Sequence, residues 1–132
     1  MVILDHIEVK IGYPHKEMSI AKFDGDINEQ SPSEAMQFLY LILGEDETHK
    51  LYNENYNHKT NEIIISSSVN QINDIKQQVS EKLKSIKQSK NQSQLELNNI
   101  KIWNKIKNLG DFLSHLKSHP QIKIACYFID LN

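Results

Sequence analysis

The hydrophobic pattern changes period along the chain, and each change marks an element. Within residues 3–11, Ile7, Val9 and Ile11 alternate with His6, Glu8 and Lys10, which predicts a half-buried strand. Gly12-Tyr13-Pro14-His15 reads as a turn, so the next apolar stretch, Met18 to Phe23, is expected to return antiparallel to the first. Asp24-Gly25-Asp26 ends it. Ser31-Pro32-Ser33-Glu34 then carries helix-start signals, with Ser31 as cap, Pro32 at the first helical position and Glu34 completing a capping box. Ala35, Phe38, Leu39 and Ile42 share one side of that helix, and Gly44 ends it. Residues 45–61 are polar and Asn-rich. They read as a loop with room for one helical turn, anchored by Leu51, Tyr52 and Tyr56.

The clearest periodicity lies between Glu62 and Lys90. Ile63, Ile64 and Ile65 form a β-branched run that suits a buried strand. Ser68 can cap the following helix with Gln71 three residues on, and Ile72, Ile75, Val79, Leu83 and Ile86 fall on one helical face. The rest of the chain is expected to pack around this strand and helix. Residues 87–94 hold no apolar side chain and read as a helix end or a loop. Ile102, Ile106 and Leu109 predict a helix over 99–109 that stops at Gly110, while 94–98 fits either a helix or a hairpin turning at Asn98-Asn99. Asp111 can cap a last helix that Pro120 stops. Gln121 to Leu131 is a final strand with Ile122, Ile124, Cys126 and Phe128 on one face. Ala125, Tyr127 and Ile129 make its other face apolar too, so it is expected to be central. The order β-β-α-loop-β-α-α-α-β gives an α/β (α+β) fold over 1–132 as one domain. Its mixed or mostly antiparallel sheet should have about four or five strands with helices packed against it.

Composition narrows the classes of function. A single cysteine, Cys126, cannot form an internal disulfide, and MVILDHIEVK lacks the basic and apolar regions of a secretory leader, so the cytoplasm is the expected location. All 15 basic residues are lysines. Without arginine there is no bidentate fork for phosphate, guanine or carboxylate. Charge is also segregated. Residues 1–69 hold five lysines and twelve acids, a net of −7, whereas residues 70–109 hold eight lysines and three acids, a net of +5.

The catalytic and metal patterns fail on particular residues. Asp24-Gly25-Asp26-Ile27-Asn28 begins like a calcium loop, but Glu29 stands where the turn needs glycine and Ala35 where the ion needs a glutamate. His115 and His119 lie four apart without the glutamate or cysteines of a zinc motif, and two histidines at a helix C-terminus are accounted for by the dipole. Cys126 in an apolar strand reads as an inert thiol. The four glycines form no phosphate loop, and no nucleophile-elbow motif occurs. No cofactor, metal or catalytic set is expected. The lysines Lys76, Lys82, Lys84, Lys87, Lys90, Lys101 and Lys105 suit a solvated helix face better than a nucleic-acid groove.

The acidic half offers a more specific surface. Asp24, Asp26, Glu29, Glu45, Asp46 and Glu47 fall in the two loops expected to bound one helix, and Tyr52 and Tyr56 lie beside them. Carboxylates steer a basic partner and tyrosines supply contact area. In size, acidity, absence of motifs and loop chemistry the chain resembles toxin-neutralising immunity proteins, a likeness of class only. That implies a non-enzymatic inhibitor covering the cationic groove of a basic toxin. The alternatives are an RNA- or nucleotide-acting protein using the lysine face, or a small homodimeric structural or adaptor protein paired through its central helix.

Overall fold

The structure, a computed structural model, describes residues 2–12, 16–26, 33–54, 60–88, 94–116 and 120–130, with the side chains of 2, 60–63 and 94–99 left aside. The element order is β1 (Val2–Ile11), β2 (Met18–Asp24), α1 (Glu34–Leu43), α2 (Glu45–Glu54), β3 (Thr60–Ser67), α3 (Val69–Lys87), α4 (Gln94–Ser114) and β4 (Ile122–Asp130). The class is α+β: four strands form one sheet in the order β2-β1-β4-β3, every neighbouring pair antiparallel. The chain divides into two compact units, Met1–Ser68 with Pro120–Asn132, and Val69–His119.

The first unit holds the sheet with α1 and α2. Alternation in β1 sets the register: Ile7 lies opposite Phe23 on one side and Cys126 on the other, and Val9 opposite Ile124. An irregularity between Leu4 and His6 keeps Leu4 opposite Phe128, so Leu4 joins the apolar face although it is three residues from Ile7. Leu4, Ile7, Val9, Phe23, Ile122, Ile124, Cys126 and Phe128 are all buried. Helix α1 packs on β1 and β2, where Phe38 stacks on Phe23 with ring centroids 4.4 Å apart. Each such large side chain removed from water contributes about 1.5–3 kcal/mol. Strand β4 is central, as its two apolar faces predicted, and β1 and β3 flank it.

Three readings need correction in this unit. The N-cap of α1 is Ser33, whose hydroxyl accepts from the Met36 backbone N–H at 3.2 Å, so the helix starts at Glu34 rather than behind Ser31. The segment 45–54 is a ten-residue helix, α2, where a loop was expected. Gly44, at φ 87°, turns α1 directly into α2; its carbonyl accepts the Thr48 N–H and, at 2.8 Å, the Thr48 hydroxyl, which supplies the start that no sequence cap signalled. The isoleucine run lies on an edge strand instead of a buried one, and Ile64 is 50% exposed.

The second unit is an antiparallel helix pair. Contacts join Asn73 to Ser114, Lys76 to Asp111 and Lys82 to Trp103, so residue numbers rise on one helix as they fall on the other. Val69, Ile72, Ile75, Val79 and Leu83 of α3 are buried, as are Ile102, Ile106, Leu109 and Leu113 of α4. The two helices expected on either side of Gly110 are one. Gly110 lies inside α4, buried against Lys76, and a Cβ there would stand 2.9 Å from the Lys76 Cβ. Asp111 does not cap a new helix; its carboxylate takes the Lys76 ammonium at 2.6 Å, which lowers its pKa.

Candidate partner-binding site

The acidic surface is built from the end of β2 and the α1–α2 corner. After Asp24, the Gly25 and Asp26 N–H groups donate to the carbonyls of Asp5 and Leu4, both at 2.8 Å, and so carry the chain along β1. A Cβ on Gly25 would lie 2.0 Å from the Leu4 carbonyl oxygen, so only glycine permits this approach. The approach aims Asp26 at α2, where its carboxylate accepts the Tyr52 hydroxyl at 2.7 Å. The Tyr52 ring meets Phe128 edge-on, with centroids 5.6 Å apart. Burial, then the hydrogen bond to Asp26 and its charge, raise the Tyr52 hydroxyl far above its ordinary pKa.

Tyr40 of α1 completes the arrangement. Burial first, then the carboxylates of Glu45 and Asp26, raise its hydroxyl pKa. The charges of two acids distant in sequence are thus both felt at one half-buried tyrosine. His49 tilts against the Tyr40 ring at 5.7 Å and stands 3.8 Å from Glu45, an exposed pair of little energetic weight. Glu45, Asp46 and Glu47 occupy the first turn of α2, where the macrodipole favours acids. They do not share one set of neighbours: Glu45 stands beside His49, whereas Glu47 lines a groove of about 210 Å³ with Leu43, Lys50, Leu51, Glu54 and Ile65. Asp24 is exposed on β2, and its N–H donates to the buried Glu34 carboxylate at 3.3 Å. Glu29 and Tyr56 lie outside the described residues, as do Lys90 and His119.

The structure thus joins Asp26 with Tyr52, and Glu45 through His49 with Tyr40. No sequence signal marked Tyr40, because it sits inside the apolar run of α1. The role of Tyr52 also changes. Its ring and hydroxyl are both engaged within the fold, so it holds Asp26 in place.

A second polar cluster lies on the opposite sheet face. Lys10 donates to the Tyr127 hydroxyl at 2.9 Å and stands 3.7 Å from Glu8 and 3.9 Å from Glu17. Lys123, 7% exposed, donates to Glu17 at 3.0 Å. His6 stacks on Tyr127 at 4.5 Å and reaches Asp5 at 2.6 Å. Each lysine has a carboxylate beside it, so the cluster satisfies itself and knits β1, β4 and Glu17 together. The Cys126 thiol is buried on the apolar face, and burial pushes it up to about 12, so it stays protonated at neutral pH. His115 donates from Nδ1 to the Asp111 carbonyl at 2.6 Å.

Comparison with protein-family models, curated proteins and solved structures finds no match to this chain. Among the described residues no helix is long and apolar enough to cross a membrane.

Proposed function

We propose that this chain is a non-enzymatic cytoplasmic binding protein that inhibits a basic protein, in the manner of a toxin-neutralising immunity protein. The observation that carries this reading is a pair of fixed contacts on the acidic unit: Tyr52 braces Asp26 through its hydroxyl, and His49 lies between Glu45 and the Tyr40 ring. Charge and unit coincide: Met1–Ser68 with Pro120–Asn132 holds six lysines against thirteen acids, a net of −7. A cationic groove would be drawn to Asp24, Asp26, Glu45 and Asp46 and would rest on the Tyr40 ring, whose amphipathic body suits a partly wet interface.

The test is affinity capture from the cells that make the protein, run in parallel on the parent and on Glu45→Lys, Asp46→Lys, Glu47→Lys. A basic protein held by the parent and lost by the variant supports the reading; equal capture by both overturns it. A second reading, nucleic-acid binding, is favoured by the other unit. Val69–His119 holds nine lysines against four acids, Lys82 lies 5.8 Å over the half-buried Trp103 ring, and Phe112 is 45% exposed. Retention of nucleic acid at physiological salt, rather than protein, would select it.

A further inference from the structure

We infer that the outer edge of β3 pairs with β3 of a second copy of this chain, making an eight-stranded sheet across a two-fold axis. The two sheet edges are guarded differently. On β2 the pairing with β1 is broken between Val9 and Lys10, and Lys22 and Asp24 stand exposed, features that discourage an added strand. Thr60–Ser67 has no proline, no lysine and no break in its register with β4. It presents a 50%-exposed Ile64, and the groove lined by Leu43, Leu51 and Ile65 together with Glu47, Lys50 and Glu54 runs beside it.

The occupant follows from the strand's own sequence. Antiparallel pairing centred on Ile64 sets Ile64 opposite Ile64 of the second copy. Ile65 then falls opposite Ile63, and Glu62 opposite Ser66. No charge meets its like, and each copy covers the other's exposed isoleucine. A strand added about 4.8 Å outward also brings an isoleucine position to the rim of the groove. Because the β2 edge is guarded, pairing closes at two copies. The dimer is read by sedimentation and by substitutions in β3, the basic partner by capture and by substitutions in α2, so the two proposals succeed or fail separately.

Sedimentation equilibrium of the full chain should show a monomer–dimer equilibrium. Ser66→Glu sets two pairs of like charges across the axis and should raise the dimer Kd about tenfold, while Glu62→Lys with Ser66→Glu should restore it. Ser66 is exposed, and an unchanged circular dichroism spectrum verifies that each variant folds. A monomer at every concentration, open-ended association, or a dimer indifferent to Ser66→Glu would each overturn the inference, as would a double variant no tighter than Ser66→Glu alone.

Discussion

Removing one oxygen from Tyr52 tests the brace under the acidic surface. Tyr52→Phe keeps the ring against Phe128 and deletes the donor to Asp26, which accepts at 2.7 Å. A hydrogen bond to a carboxylate contributes about 1.5–3 kcal/mol. Both groups are half-buried, so water can replace the lost donor and the low end applies: about 1.5 kcal/mol, or roughly a 5 °C fall in Tm for a domain of this length. Tyr52→Ala also loses the ring packing and should cost about 3–5 kcal/mol. Urea unfolding followed by circular dichroism gives both values. A double-mutant cycle with Asp26→Ala should return a coupling of about 1 kcal/mol. If Tyr52→Phe is as stable as the parent, or the cycle shows no coupling, Tyr52 does not hold Asp26.

Three further outcomes follow from particular contacts. Gly25→Ala should cost about 3 kcal/mol by urea unfolding, because the colliding atom is the Leu4 backbone oxygen and cannot swing away; a loss below about 0.5 kcal/mol, the surface norm, would contradict the close approach. Leu83→Ala should cost about 2–5 kcal/mol from the buried face of α3, and a surface-like loss would mean that face is misassigned. Cys126 gives a pH signature: its thiol is raised in the fold from an ordinary 9 to about 12, so the stability held by the neutral buried form is complete below pH 9 and is lost between pH 9 and 12. By pH 11 the parent should have lost about 3 kcal/mol more than Cys126→Ala, and parallel pH profiles for the two would refute the burial argument.

The elements with a strong one-sided pattern were legible in the sequence. Strands β1, β2 and β4 and helix α3 follow from alternation or helical spacing. Helix α2 was not, because Glu45–Glu54 carries little apolar surface; it is held by the Thr48 bonds to Gly44, by acids at its N-terminus and by Tyr52 on Phe128. Gly110 misled for a related reason: local preference makes glycine a stop, and close packing on Lys76 makes it a helix interior. A β-branched run predicts a strand but does not say whether the strand is central or at an edge, which left Ile64 misplaced. The acidic surface was half legible. Charge segregation pointed to it, but the pairing of Asp26 with Tyr52 and the link from Glu45 through His49 to Tyr40 depend on how Gly25 and Gly44 route the chain.

Association kinetics with the captured basic partner test the central claim most directly. The rate constant is measured against ionic strength for the parent and for Glu45→Lys, Asp46→Lys, Glu47→Lys, with the matching glutamine and asparagine variants separating charge from shape. If carboxylates steer the encounter, the parent's on-rate should fall steeply with salt, and the charge-reversed chain should bind at least about tenfold more slowly at low salt with a nearly flat dependence. On-rates for the two chains that coincide at every salt concentration would contradict the account.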